Sequence, residues 1–172
     1  MEYVQGRSHE AWGLPIGVLT SIAFLPHDPS LAAVYLGGYT ASFLFLSPDL
    51  DLEGSRPTRR WGLLSLLWAP YRLLHPHRGI SHTYLYGPVS RLAYAALLVL
   101  APARFTGGEE AVLSLVQRAL AFPVHTGVFL LGYFAAQWVH LIQDGILPFG
   151  LSGRRSCRCS KRRTRRKYSW KG

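Results

Sequence analysis

Four long stretches with almost no charged side chains constrain the fold of this chain more than any other feature. They cover residues 11–27, 29–48, 83–103 and 119–143 of 172. A membrane-spanning helix needs about 20 predominantly apolar residues, and the last three stretches reach that length. The first is interrupted by Gly13, Pro15 and Gly17, so its apolar part is short. The turn signal at residues 26–30 joins the first two stretches and predicts a helical hairpin.

The positive charge of the chain is concentrated at one end. Positions 1–150 hold nine basic and nine acidic residues, whereas ten Lys or Arg and no acid lie from Leu151 onward, which gives the formal net charge of +10. Charged residues make up 16% of the chain, below the roughly 25% usual for soluble globular proteins. We therefore predict a neutral helical membrane domain at 1–150 and a disordered basic tail at 151–172.

The arginines of the body predict the orientation in the membrane. The connection between the second and third stretches contains five of them, Arg56, Arg59, Arg60, Arg72 and Arg78, whereas the connections at 26–30 and 104–118 hold two between them. The positive-inside rule then predicts four spans, with both termini and the 47–82 connection in the cytoplasm. The predicted fold is all-α, a four-helix integral bundle in the plasma (inner) membrane.

The connection after the second stretch contains an apolar segment of its own at residues 61–74. Trp61, Trp68 and Tyr71 are side chains that anchor helices at a membrane surface, and Pro70 interrupts the segment. This pattern predicts a short helix that lies on the membrane between spans two and three. A buried core helix of a soluble protein is the alternative.

Short clusters of His and Asp stand at the ends of the apolar stretches. A charge beside an apolar run is costly unless it is paired or bound to a metal. The predicted topology places all the clusters on the cytoplasmic side, so we expect one metal site there. Its candidate ligands are His9, Asp49, Asp51, His77, His82, His140 and Asp144.

Local spacing supports individual ligands to different degrees. His140 and Asp144 are four residues apart on a helical pattern, so both side chains project from one face; a His and an Asp that cap a helix end are the alternative. Asp49 and Asp51 follow Ser47 where the second span stops. Two carboxylates there can share a cation, or Ser47 can cap a short helix, and both can hold together.

The mixture of ligand types limits which metal ions the site can bind. Neutral imidazoles combined with carboxylates suit Zn, Mn or Fe(II), whereas Mg and Ca prefer oxygen ligands alone. Seven candidates exceed the three or four protein ligands of one catalytic zinc. Either two ions bind, as in hydrolytic sites that activate water and hold a phosphate, or some of these residues orient the ligands.

The order of these motifs resembles a known family. It runs from a His through SPDLDL, RRWG with W-x-P-Y-R, and HRGISH to H-x-x-x-D before Pro-Phe-Gly. Over residues 6–150 it is similar to a family of uncharacterised metal-binding proteins of bacteria and archaea, and more loosely to membrane-bound metal-dependent hydrolases of the YdjM type. The resemblance implies that the seven candidates bind metal and that Arg78 holds a carboxylate or a substrate phosphate.

These observations predict a membrane metalloenzyme that hydrolyses a phosphoester or related bond in a lipid or membrane-proximal substrate. A metal-binding membrane protein without catalysis, such as a sensor, a scaffold or part of a transport assembly, needs the same ligands. A soluble helical metallohydrolase is a third hypothesis. We expect the basic tail to bind anionic lipid; nucleic-acid binding, with Tyr168 and Trp170 as stacking residues, is the competing interpretation.

Overall fold

The protein is helical throughout the part of the chain that the structure describes. This computed structural model describes residues 9–75 and 82–147, together with the backbone of residues 2–8. Within these ranges the regular elements are α-helices and 3₁₀ turns, which confirms the all-α prediction. The 3₁₀ turns lie at Ile22–Phe24, Pro48–Asp51 and Gly62–Trp68. The α-helices are α1 (Glu2–Ser21), α2 (Pro29–Phe45), α3 (Arg56–Arg60), α4 (Ala69–Leu74), α5 (Tyr86–Thr106), α6 (Glu109–Ala121) and α7 (Pro123–Gln143).

The first two helices form the predicted hairpin. Asp28 caps α2, because its carboxylate accepts a hydrogen bond of 2.8 Å from the backbone N–H of Ser30, and this bond lowers the pKa of Asp28. The helices run antiparallel: Gly13 of α1 packs against Phe43 near the end of α2, and Gly17 packs against Tyr39. The start of α1 therefore lies beside the end of α2.

Helices α2 and α7 run parallel, because Ser30 contacts His125 near their starts and Leu46 contacts Gln137 near their ends, and they approach each other closely. Gly38 of α2 faces the backbone carbonyl of Phe129, and Gly132 of α7 faces the backbone carbonyl of Tyr35. A side chain at either position would hold the two backbones apart, so the glycines determine the spacing. Small residues at such contacts are typical of helix pairs in membranes. The parallel direction brings the C-terminal ends of α2 and α7 together.

Helix α5 packs its first turns against the second half of α7 and carries a buried arginine. Arg91 is fully buried, and its guanidinium donates a hydrogen bond of 2.7 Å to Oε1 of Gln137. The Gln137 amide donates in turn to Oγ of Ser42 at 2.9 Å, and the Tyr133 hydroxyl donates to the carbonyl of Pro88 at 2.8 Å. The one charged residue of the third apolar stretch thus faces the interior, where Gln137 accepts a hydrogen bond from it.

The connection between α2 and α5 differs from the single surface helix predicted at 61–74. Its apolar part consists of the 3₁₀ turn Gly62–Trp68 followed by α4, and Pro70 occupies the first turn of α4. Trp68 and Tyr71 are buried with Leu50, whereas other apolar side chains of the connection are exposed. The helical character of this segment is confirmed, and its place on a membrane surface stays a prediction.

Two segments, Pro29–Asp51 and Tyr86–Thr106, are long and apolar enough to cross a membrane, and a third is added if α6 and α7 count as one span bent by 99°. The predicted bundle of four spans is therefore not confirmed. Helix α1 is not among the candidates. Beyond Glu10 its remaining residues, 11–21, extend only about 16 Å, well short of a bilayer core. The predicted fourth stretch is likewise broken, since α7 begins only at Pro123.

Candidate metal centre

Four chain segments meet at one end of the molecule. The directions of α1, α2, α5 and α7 place the start of α1, the end of α2, the residues before α5 and the end of α7 next to one another. This end holds six of the seven predicted ligands, His9, Asp49, Asp51, His82, His140 and Asp144. The seventh, His77, and the predicted catalytic residue Arg78 lie outside the described residues.

His140 lies at the centre of this arrangement. Its Nε2 atom is 3.4 Å from Oδ2 of Asp144, one helical turn later, and 3.5 Å from Oδ1 of Asp49. The imidazole is almost fully buried, and the rings of His9 in α1 and Phe43 in α2 pack edge-on against it. The i, i+4 pair predicted from the sequence thus faces a carboxylate from a different segment.

His9 reaches the same carboxylates from α1. Its Nε2 atom is 3.7 Å from Oδ1 of Asp144, and its ring packs edge-on against that of His140 with 4.8 Å between the centroids. Burial lowers the pKa of His9, and the neighbouring His140 lowers it further. A lowered pKa favours the neutral imidazole, which is the form that binds a metal.

Asp49 and Asp51 diverge from one short turn. Ser47 occupies the N-cap of the 3₁₀ turn Pro48–Asp51, without a capping hydrogen bond from its side chain. Asp49 faces His140, whereas Oδ2 of Asp51 lies 3.5 Å from Nδ1 of His82. The other ring nitrogen of His82, Nε2, is 4.0 Å from Oδ2 of Asp144.

Two groups of three residues have the spacing of metal ligands. His9, Asp49 and His140 form one group, and Asp49, His82 and Asp144 form the other; within each group the ligand atoms lie within 4.8 Å of one another. Asp49 belongs to both. Asp51 belongs to neither group among the described residues.

The distances between these side chains fit a bound ion better than direct hydrogen bonds. The separations of 3.4 to 4.0 Å exceed normal hydrogen-bond lengths. Two ligands about 2.0–2.2 Å from a tetrahedral ion would be roughly 3.3–3.6 Å apart. The buried atoms Nε2 of His140 and Nδ1 of His9 also have no hydrogen-bond partner in the described part of the chain. The donor set therefore fits a divalent transition metal.

One supporting residue was not predicted from the sequence. Glu10 accepts hydrogen bonds from Arg56 at 2.5 Å and pairs with Arg60 at 2.8 Å, so two arginines after α2 hold α1 in place beside His9. The only sequence signal was an acid next to an apolar stretch, with no indication of its distant partners.

Comparison with known proteins assigns the chain to a family. Residues 4–150 match the family described as "Uncharacterized metal-binding protein (DUF2227)". The chain belongs to this metal-binding family. The matched range includes all six candidate residues of the centre and excludes the basic tail. A relative from Aquifex aeolicus (strain VF5), with the name "Uncharacterized protein", is 46% identical over 57 residues, which are 33% of this chain and 40% of that protein.

The family assignment confirms part of the resemblance seen in the sequence. Membership of the metal-binding family is confirmed, whereas the looser similarity to membrane-bound hydrolases of the YdjM type stays a prediction. The match to the Aquifex aeolicus protein spans less than half of that protein's length. No solved structure is significantly similar to the chain.

Proposed function

We propose that this protein is an integral membrane, metal-dependent hydrolase that cleaves a phosphoester or related bond in a lipid or membrane-proximal substrate. The observation that carries this proposal is the pair of ligand groups that share Asp49 at one end of the candidate spans. Hydrolytic sites commonly hold two ions bridged by shared ligands. Metal binding follows from membership of the family. Hydrolysis and integration into a membrane are parts of the proposal.

The ligands favour a transition metal. Each group combines at least one imidazole with Asp49, and such mixtures suit Zn, Mn or Fe(II). Asp49 belongs to both groups and would be the carboxylate that the two ions share. We propose two ions on this ground.

The protein residues around the ions have separable roles. When bound, the ions would supply Lewis acidity to a phosphoryl oxygen and activate water. Asp144 directs one oxygen to His9 and the other to His140, which holds both rings in place. Arg78 is proposed to stabilise the negative charge that develops on the phosphate.

The exposed surface of α5 supports a membrane location. Its second half presents Leu97, Val99, Leu100 and Phe105 to the outside, each at least half exposed. Apolar surface of this extent on a helix of spanning length requires a lipid or protein cover. Because Arg56, Arg60 and Arg72 lie near the end that carries the candidate centre, we propose that this end faces the cytoplasm from the plasma membrane.

An apolar cleft supports a lipid substrate. The cleft, of about 570 Å³, lies between α2, the turn Gly62–Trp68 and α5, and Phe45, Leu64 and Leu98 are among its lining residues. Its volume is within the usual range of ligand pockets. Arg60 also lines the cleft and pairs with Glu10, next to the ligand His9. An acyl chain in the cleft would thus keep its head group near the metal centre.

The basic tail is proposed to bind anionic lipid at the same membrane face. Each basic residue near such a surface contributes about 1 kcal/mol to the free energy of binding to the membrane. Nucleic-acid binding remains its competing role.

One observation favours a second candidate, a metal-binding membrane protein without catalysis. Among the described residues of the centre, every His and carboxylate either belongs to a ligand group or faces one of its members, as Asp51 faces His82. This arrangement leaves no separate general base there. A sensor, a scaffold or a transport component would need only the binding function.

A substrate screen separates the two candidates. Purified protein supplied with Zn, Mn or Fe(II) is assayed against phosphomonoesters, phosphodiesters and phospholipids, beside the variants Asp49→Ala and His125→Ala. His125 pairs with Ser30 at the opposite end of the molecule and serves as the matched control. Turnover by the wild type and His125→Ala but not by Asp49→Ala supports hydrolysis. Equal turnover by Asp49→Ala identifies a contaminant and leaves the binding role.

Membrane integration has a separate test. After carbonate extraction of cell membranes at high pH, we expect the protein in the pellet. Its release into the supernatant would contradict the membrane proposal and favour the soluble metallohydrolase.

A further inference from the structure

Asp51 differs from the other two carboxylates of the centre in its surroundings. Its side chain is completely buried, whereas those of Asp49 and Asp144 are 24% and 22% exposed. Within the part of the chain that the structure describes, Asp49 and Asp144 belong to the ligand groups and Asp51 does not. Since all three lie within one small region, the difference in position indicates a difference in role.

The two ring nitrogens of His82 face different carboxylates. Nδ1 is 3.5 Å from Oδ2 of Asp51, and Nε2 is directed to Oδ2 of Asp144 at 4.0 Å. The nitrogens lie on separate edges of the ring, so a histidine that binds an ion through one nitrogen presents the other to a different neighbour. Metal-binding histidines usually donate that second N–H to a carboxylate or a carbonyl, which fixes the ring and its tautomer.

Arg91 accounts for the burial of a carboxylate at this position. Its guanidinium is fully buried and close enough to Asp51 for an electrostatic interaction. A buried carboxylate is tolerated when an opposite charge and hydrogen bonds compensate it. Arg91 is itself held by Gln137 of α7. The order His82, Asp51, Arg91, Gln137 thus connects the centre to the polar interior of the helices.

We infer that Asp51 is a positioning residue: its Oδ2, 3.5 Å from Nδ1 of His82, comes within hydrogen-bond distance of the Nδ1–H when Nε2 binds an ion, and so directs Nε2 into the ligand group with Asp49 and Asp144. This inference rests on the proposed metal centre and assigns one of its carboxylates to a role other than metal binding. It predicts that loss of the Asp51 carboxylate weakens metal binding without removing a ligand.

Metal titration distinguishes the two roles. The full chain in detergent is titrated with Zn²⁺ as wild type, Asp51→Asn, Asp51→Glu and Asp49→Asn. We expect Asp51→Asn to keep the wild-type stoichiometry with an affinity about 10- to 100-fold lower, Asp51→Glu to recover part of that loss, and Asp49→Asn to lose bound metal. A stoichiometry reduced in Asp51→Asn as in Asp49→Asn would make Asp51 a ligand, and an unchanged affinity would leave it without a role; either result overturns the inference.

A spectroscopic measurement on the unmodified chain covers the case in which Asp51→Asn does not fold. Protein labelled with ¹⁵N at histidine is loaded with ¹¹³Cd²⁺, and the His82 signals are assigned by their loss in His82→Ala. We expect ¹¹³Cd coupling at Nε2 and a proton on Nδ1. Coupling at Nδ1, or at neither nitrogen, overturns the inference about Asp51. Failure of the wild type to bind Zn²⁺ or Cd²⁺ at all would instead contradict the proposed centre.

Discussion

Gly132 of α7 packs directly against the backbone carbonyl of Tyr35 in α2. This contact, and that of Gly38 with Phe129, sets the distance between the two parallel helices. Asp49 lies in the turn that follows α2 and His140 in the last turn of α7, and their side chains are 3.5 Å apart. The geometry of the candidate metal centre therefore depends on helix packing about two turns away from it.

Substitution of Gly132 tests that dependence. Gly132→Ala would force a methyl group against a backbone that has no free rotation to escape it, so we expect destabilisation of about 1–3 kcal/mol. Gly127→Ala in the same helix is the matched control, since its methyl group would meet open space. The control should be neutral or more stable by about 0.5–1 kcal/mol. Thermal unfolding in detergent, followed by circular dichroism, measures both, and equal unfolding temperatures would contradict the close packing.

Gln137 is expected to stabilise the interior by accepting a hydrogen bond from Arg91. Gln137→Leu removes that acceptor from a fully buried guanidinium, so we expect a loss of roughly 1–3 kcal/mol. Gln117→Leu on the exposed surface of α6 is the control for the gain in hydrophobicity. Chemical unfolding measures the stability of both variants. If Gln137→Leu loses no more stability than Gln117→Leu, the result would argue against the buried network.

Glu10 is expected to support metal binding indirectly. Glu10→Gln removes the charge that pairs with Arg56 and Arg60, which loosens α1 beside His9. We expect a stability loss of about 1 kcal/mol or less and a metal affinity lower by a few-fold. Glu109→Gln, which breaks the exposed ion pair with Arg104 far from the centre, should leave affinity unchanged. Zn²⁺ titration of both variants tests the claim, and identical affinities would refute it.

Removal of the metal should destabilise the wild type. A ligand present at 100 times its dissociation constant stabilises the folded state by about 2.7 kcal/mol, so chelation by EDTA should lower the unfolding temperature. The variant Asp49→Asn lacks the shared ligand and should show little response. If both proteins respond alike, the chelator acts elsewhere than at this centre.

The sequence predicted the parts of this structure that depend on local pattern. Apolar runs gave the helical class, the turn at residues 26–30 gave the hairpin, and the spacing of His140 and Asp144 gave one face of the centre. We predicted that the distant His and Asp clusters come together, because the predicted topology placed all of them on one side of the membrane. Their metal-binding roles stay predictions.

The remaining features depend on pairs of residues that lie far apart in the chain. Nothing in the local sequence of Glu10 indicated Arg56 and Arg60, and nothing near Asp51 distinguished it from Asp49. The bend between α6 and α7 was missed because composition is apolar on both sides of it, although Pro123 begins the second helix there. The span predicted at residues 11–27 is not confirmed, because α1 ends at Ser21 and is not among the candidate spans.

The most direct test of this account is the metal content of the purified protein. Elemental analysis should find Zn, Mn or Fe in the wild type and in His125→Ala, which alters a histidine at the opposite end. Asp49→Ala and His140→Ala should lose the metal, because each removes a ligand of the shared centre. Wild-type protein without a transition metal, or unchanged metal content in both ligand variants, would contradict the account.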